Sequence, residues 1–135
     1  LTHQSALVHA LLADAAAECW MWPTPAVGWT VAHHVAHLLW TDGNARHSLL
    51  GRHAFAAIAD RWGRAAIIDP DVRSMMAEGL DHSDLLSRWH TDRTELVATL
   101  RRGIVGRHAE GPALPVDPEG LASVLLMETW AHGHD

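Results

Sequence analysis

Apolar side chains recur at steps of three and four along several stretches of the chain, which is the spacing of amphipathic helices. The clearest stretch follows Ser83, a predicted N-cap, and ends at Arg101 and Arg102, with Gly103 beyond them. Its apolar positions are Leu85, Leu86, Trp89, Leu96, Val97 and Leu100. Another stretch follows Thr30, a second predicted N-cap, and continues to about residue 50. Its apolar positions are Val31, Val35, Leu38, Leu39, Ala45 and Leu49. We expect both stretches to be helices that face the core.

Two further helices are predicted at the ends of the chain. Residues 1 to about 19 are rich in Ala and Leu and contain neither Gly nor Pro, and Pro23 and Pro25 then end this helix. The last helix is predicted to begin at Asp117 and Pro118, an N-cap followed by proline at the first helical position, and to run to the chain end.

The middle of the chain gives weaker signals. Residues 53–68 are compatible with a helix, and the Asp-Pro-Asp sequence at 69–71 predicts a break before a short amphipathic piece that ends at Gly79. Residues 103–116 are rich in Gly and Pro, which predicts a loop. No stretch has the pattern of a strand. The sequence therefore predicts an all-α fold, an up-and-down four-helix bundle with short extra helices, in a single domain over residues 1–135.

Composition excludes several classes of protein. Of the 135 residues, 48% are hydrophobic and 19% are charged, which is ordinary globular usage. The apolar runs are short and no basic, apolar leader is recognisable, so we expect a cytoplasmic protein without a membrane span. A formal net charge of −6 with scattered Lys and Arg offers no basic stripe for nucleic acid. Cys19 is the only cysteine, which rules out a thiolate cluster, and we expect it to be buried rather than nucleophilic.

Glu128 and His132 continue the apolar stripe of the last helix, in line with Leu121 and Leu125. Their spacing of one helical turn lets both side chains reach one metal ion. An ordinary Glu–His hydrogen bond within a helix has the same spacing and needs no ion. A metal site therefore requires a third ligand from another helix, and with one cysteine that ligand must be a histidine or a carboxylate.

The second helix carries four of the 12 histidines: His33, His34, His37 and His47. Each of them is also compatible with a buried histidine that hydrogen-bonds to a backbone carbonyl. The helical spacing alone does not choose among the four.

Two segments resemble the motifs of a known family. Residues 24–38 read Thr-Pro-Ala-Val-Gly-Trp-Thr-Val-Ala-His-His-Val-Ala-His-Leu, and residues 127–135 read Met-Glu-Thr-Trp-Ala-His-Gly-His-Asp. The first is similar to the Pro-Gly-Trp-Thr-Val and Ala-His-Leu stretch of the DinB-like superfamily, specifically of the metal-binding N-terminal domain of mycothiol-dependent maleylpyruvate isomerases. The second is similar to the Glu-x-x-x-His-x-x-Asp motif of the same family, and the two occur in the family's order.

The resemblance implies a DinB-like four-helix bundle in which His37, Glu128 and His132 hold a divalent metal. Zn²⁺ is expected first, with Ni²⁺ and Fe²⁺ as alternatives, because ligand type alone does not distinguish them. Three protein ligands leave one coordination position open, as in catalytic zinc sites. Asp135 is a candidate to orient the His132 imidazole, or else a solvated terminal carboxylate.

The resemblance also implies an activity, since the family's isomerases use mycothiol to convert maleylpyruvate to fumarylpyruvate and relatives transfer thiols. We therefore expect a metal- and thiol-dependent isomerase or S-transferase whose partners are a small-molecule substrate and mycothiol or a similar thiol. One alternative is a non-catalytic metal-binding or sensing bundle, in which the metal is structural and a further histidine such as His34 fills the open position. A metal-free interaction bundle is the third reading. A homodimer is compatible with all three, and neither nucleic acid nor membrane is an expected partner.

Overall fold

The computed structural model of the chain describes residues 1–49, 65–79, 81–108 and 118–134. Within these residues the fold is an all-α bundle without strands, as the sequence predicts. Its helices are α1 (Thr2–Ala13), α2 (Val31–Leu49), α3 (Ala65–Ala77), α4 (His82–His108) and α5 (Pro118–His134), and a 3₁₀ turn (Ala17–Met21) follows α1.

Helix α1 is shorter than the sequence predicts, because it ends at Ala13 rather than near residue 19. Asp14 closes the helix, Ala16 is extended, and the 3₁₀ turn then places Trp20 in the core with 4% of its surface exposed. Burying one large indole stabilises this change of direction more than a further turn of helix would. Ser5 is the one buried residue of α1.

Helix α2 is the centre of the bundle, and it packs against α3, α4 and α5. It begins at Val31, directly after the predicted N-cap Thr30, whose backbone N–H donates to Nδ1 of His33 over 3.2 Å. This bond reproduces one half of a capping box, with an imidazole in place of the usual carboxylate. The connector between the 3₁₀ turn and α2, residues 22–29, turns at Gly28, whose φ of 79° is readily adopted only by glycine. The start of α2 is therefore fixed by local hydrogen bonds.

Helix α3 continues through Pro70, so the predicted break at residues 69–71 is wrong. A proline inside a helix costs about 3 kcal/mol. Against this, Val72 is fully buried and Met75 and Met76 pack on the core, and burying such a side chain contributes about 1.5–3 kcal/mol. Tertiary packing therefore outweighs the local preference of proline. Of the predicted helix at residues 53–68, only 65–68 fall within the described residues, and they belong to α3.

Both predicted ends of helix α4 need correction. Asp81 rather than Ser83 lies at its start, with a carboxylate that accepts hydrogen bonds from the backbone N–H and the hydroxyl of Ser83. The helix also passes Gly103 and ends at His108, so the first part of the predicted loop 103–116 is helical. The extension contains Gly103 and Gly106, and each glycine costs a helix only about 1 kcal/mol, too little to stop a helix that is already formed. The rest of that loop lies outside the described residues.

The last helix begins at Pro118, as predicted, and packs on α1, α2 and α4. It approaches α1 closely at Gly133, because a Cβ built there would lie 2.9 Å from Cγ2 of Val8. In the described part of the chain, no helix is both long enough and apolar enough to cross a membrane.

Candidate metal centre

Helices α2 and α5 bring the three predicted ligands together. His37 lies on the buried face of α2 with 5% of its surface exposed, and Glu128 and His132 lie one turn apart on α5. One potential ligand atom from each side chain lies within 4.8 Å of those of the other two. The buried Leu121 and Leu125 hold the same stripe of α5 against the core, which carries Glu128 and His132 toward α2.

The carboxylate of Glu128 is the centre of this group. Its Oε2 lies 3.2 Å from Nε2 of His37 and 3.3 Å from Nε2 of His132. The His37 and His132 rings meet edge to face, with centroids 4.5 Å apart. Two imidazoles therefore direct their ε-nitrogens at one carboxylate oxygen.

These contacts stabilise the charged form of Glu128. Hydrogen bonding to His132, and then to His37, lowers its pKa from 4.5 to about 2, against a smaller opposing effect of burial. The side chain keeps 28% of its surface exposed. Glu128 is consequently a carboxylate throughout the physiological pH range.

The spacing of the donors fits a divalent metal. Two donors that are each about 2.0–2.1 Å from a tetrahedral zinc ion lie about 3.3–3.4 Å apart. The two N–O distances of 3.2 and 3.3 Å match that separation. A set of two imidazoles and one carboxylate is also the chemistry that zinc, nickel and iron accept. The residues present therefore fit a metal, although the same distances also allow hydrogen bonds.

The structure separates the four histidines that the sequence left open on α2. His37 alone belongs to the three-residue group. His34 lies behind His132, with 2.8 Å between their Nδ1 atoms, and its Nε2 lies 2.8 Å from Oγ1 of Thr24. His33 is bonded to Thr30 at the start of the helix, and His47 is exposed. The other candidate neighbour of His132, Asp135, lies outside the described residues.

Trp29 is a site residue whose role the sequence does not reveal, since there it is only one position of the motif at residues 24–38. Its ring centroid lies 5.6 Å from that of His37, 5.2 Å from that of His34 and 6.2 Å from that of His132. The indole therefore covers one side of the histidine group, which consists of His34, His37 and His132. No periodicity in the sequence signals this, because the contact depends on the fold of the connector.

Among the described residues, histidines line two of the surface cavities. A cavity of about 170 Å³ adjoins His34 and His132, and its walls are mainly aliphatic side chains of α1 and α2. A larger one of about 430 Å³ lies between α1 and α4, where His9, His82 and His90 line it. None of the three candidate ligands lines the larger cavity, so the smaller one is the relevant space beside the histidine group.

A His–Glu–His group between two helices of an all-α bundle, with one histidine buried and the other two side chains partly exposed, is typical of DinB-like metal-binding domains. The family described as the mycothiol maleylpyruvate isomerase N-terminal domain matches residues 1–135. The chain therefore belongs to that family.

Two relatives from Mycobacterium tuberculosis, both called uncharacterized proteins, are 36% identical to the chain over 128 residues. One comes from strain CDC 1551 / Oshkosh and the other from strain ATCC 25618 / H37Rv. The similarity covers 93% of this chain and 49% of each relative, so the chain spans about half the length of the curated relatives it matches. No solved structure matches the chain significantly.

Proposed function

We propose that the domain binds a divalent metal, with zinc expected first, through His37, Glu128 and His132, and that it serves a thiol-dependent isomerase or S-transferase. The observation that carries this proposal is the convergence of a buried imidazole and a carboxylate that lie 91 positions apart in the chain, with a second imidazole beside them. Membership of the family supports the thiol and the small-molecule substrate.

When bound, the metal would supply Lewis-acid activation of a thiol or of a substrate oxygen at the position the three ligands leave open. The protein contributes the rest of the chemistry. Glu128 brings one negative charge, and the two imidazoles are neutral ligands that hold it in place. Trp29 shields one side of the group from water. Water exclusion strengthens the electrostatic interactions within the site.

The small cavity beside His132 limits the size of what can bind there. At about 170 Å³ it is smaller than the roughly 300–1,000 Å³ of a drug-sized site, and its aliphatic walls suit a short apolar group. A small-molecule substrate with mycothiol or a similar thiol is therefore the partner set we propose, without nucleic acid or membrane. A cytoplasmic location belongs to the same proposal, because low-molecular-weight thiols stay reduced there.

Metal content is the first test. Elemental analysis of untagged protein should give about one equivalent of metal for the parent and almost none for His132→Ala or Glu128→Gln. His134→Ala is the matched control, since His134 is an exposed histidine on the same helix and should leave the metal in place. No metal in the parent after added zinc or nickel would overturn the proposal and leave a helical bundle with hydrogen-bonded Glu and His.

Thiol chemistry is the second test. Metal-loaded parent protein should either transfer a low-molecular-weight thiol to a small electrophilic substrate, which consumes the thiol, or isomerise the substrate and release the thiol unchanged. His132→Ala should do neither. A metal-replete protein that is inactive with every such pair would favour the alternative, a structural or sensing metal.

A further inference from the structure

The histidine group has a second layer on the side of His132 that faces away from Glu128. Nδ1 of His132 lies 2.8 Å from Nδ1 of His34, whereas Nε2 of His132 faces Oε2 of Glu128 over 3.3 Å. His34 is 96% buried, since only 4% of its surface is exposed, and its other ring nitrogen lies 2.8 Å from Oγ1 of Thr24. Each of the two imidazoles thus uses both of its nitrogens in the chain of contacts.

Two orders of protons are consistent with this chain of contacts, and the first begins at Thr24. The hydroxyl of Thr24 can donate to the backbone carbonyl of Trp29 over 3.4 Å, which leaves Oγ1 to accept from Nε2–H of His34. A neutral imidazole carries one N–H, so Nδ1 of His34 is then an acceptor. It must accept from Nδ1–H of His132, and Nε2 of His132 keeps its lone pair.

That lone pair faces a carboxylate oxygen, and two electron-rich atoms at this distance repel each other unless a cation lies between them. In this first order His132 donates to His34 and His34 donates to Thr24, whose hydroxyl donates to Trp29. This order suits a bound metal. The reverse order, in which Nε2–H of His132 donates to Glu128, suits the metal-free protein. Both imidazoles are neutral in either order, and the two orders differ only in which ring nitrogen carries the proton.

We propose that His34, anchored by Thr24, is the positioning residue of the metal centre, and that it keeps the ε-nitrogen of His132 unprotonated and directed at the metal. This inference rests on the proposed metal site. A metal-bound histidine usually donates its second ring N–H to a carboxylate, a carbonyl or a water. Here a neutral imidazole takes that place, which orients His132 without adding a negative charge to the site.

The same geometry argues against His34 as a fourth ligand. The two ring nitrogens of an imidazole point away from each other, and His34 contacts the one that is turned away from Glu128. His34 is accordingly not a member of the group of three side chains whose ligand atoms converge. His34 therefore contacts the ligand His132 on the side opposite Glu128.

Zinc affinity, measured by competition with a chromophoric chelator, tests the role of His34. His34→Leu should weaken binding about tenfold to a hundredfold, the usual effect of losing such a partner. His34→Asn, whose side-chain oxygen can replace the acceptor Nδ1, should recover most of that loss. Thr24→Val, which removes only the hydroxyl, should weaken binding less than His34→Leu does. His47→Leu is the control, because it removes an exposed histidine from the same helix, and its affinity should equal that of the parent.

Nuclear magnetic resonance of ¹⁵N-histidine protein gives a readout that a merely structural role would not change. In the zinc-loaded parent, the Nδ1–H of His132 should be protected from exchange and show a scalar coupling to Nδ1 of His34 across the hydrogen bond. On removal of zinc, both imidazoles should change tautomer together. In His47→Leu the coupling should persist, and circular dichroism should confirm that each variant is folded.

The outcomes separate the two proposals. A parent that binds no zinc overturns both of them. If the parent binds zinc and the zinc affinity of His34→Leu lies within about twofold of the parent's affinity, the role of His34 is overturned. The same holds if the zinc-loaded parent shows no coupling between the two histidines. In both cases the three-ligand site still stands.

Discussion

Two polar clusters link α2 to α5, and they handle buried charge differently. One consists of Asp42, Arg93 and Thr129, in which Nε of Arg93 donates to Oδ2 of Asp42 over 2.7 Å and Nη1 donates to Thr129 over 2.9 Å. The other consists of Glu128 with its two imidazoles. The first is sealed, with both charged side chains at most 3% exposed, whereas Glu128 and His132 keep 28% and 21% of their side-chain surfaces in contact with solvent.

The carboxylates of the two clusters show what this difference means. Burial raises the pKa of Asp42 to about 6 although Arg93 acts against it, because the loss of water is the larger effect. Hydrogen bonds from His132 and His37 lower the pKa of Glu128 to about 2, because they outweigh the opposing effect of burial on a side chain that stays partly exposed. The sealed cluster contains its own cation, and the open cluster presents an anion to whatever cation enters. We infer that the first serves stability and the second serves binding.

Removing the cation of the sealed cluster should have the largest effect. Arg93→Met leaves Asp42 buried without its partner, which should lower the free energy of unfolding by about 3–5 kcal/mol. Urea denaturation of the metal-free protein measures this loss in the free energy of unfolding. Arg46→Met is the control, because Arg46 pairs with Asp92 and Glu95 on the partly exposed surface and should cost under about 1 kcal/mol. Equal costs for the two variants would contradict the proposed contrast between the sealed and surface pairs.

Supplying a cation to the open cluster should have the next largest effect. Zinc at about 100 times its dissociation constant should raise the free energy of unfolding by about 2.7 kcal/mol, because it binds the folded chain. His132→Ala should show no such gain, whereas Arg46→Met should show all of it. Calorimetry with and without a chelator provides the measurement, and an equal gain in His132→Ala would place the ion elsewhere.

The smallest effect should come from the charge of Glu128 in the metal-free protein. Its pKa is lower in the folded chain than its ordinary value of 4.5, so its charge stabilises the fold above about pH 4.5, and this contribution is lost as the pH falls toward 2. Glu128→Gln should therefore be less stable than the parent at pH 6, by about 1 kcal/mol after allowance for solvent screening. The two should converge near pH 2. Urea denaturation at a series of pH values measures the difference in the free energy of unfolding between the two proteins. A difference that grows as the pH falls would contradict the prediction.

The sequence predicted the helices better than their ends. Ser83 was a reasonable N-cap, yet Asp81 takes the position two residues earlier and accepts from Ser83 itself. Pro70 and Gly103 were expected to interrupt helices, and both lie inside them. At Pro70 a local penalty of about 3 kcal/mol competes with packing that no local pattern shows.

The candidate site was predictable in part. The spacing of Glu128 and His132 places them on one face of a helix, but helical spacing could not choose His37 among its neighbours, and the family motif did so. The place of His34 was not predictable, because it depends on the approach of two segments 98 residues apart and on the fold of the connector that carries Thr24.

Gly133 has a consequence for motion. It lets α1 lie against α5 beside the small cavity, yet α1 buries only Ser5 completely and leaves Leu7 and Leu11 exposed. A helix with so little buried surface opens at a lower free energy than the core to which it is attached. The cavity wall formed by α1 is therefore the wall that opens most readily. Amide hydrogen exchange that is faster in α1 than in α2 or α4 would show that the cavity opens by local unfolding of α1.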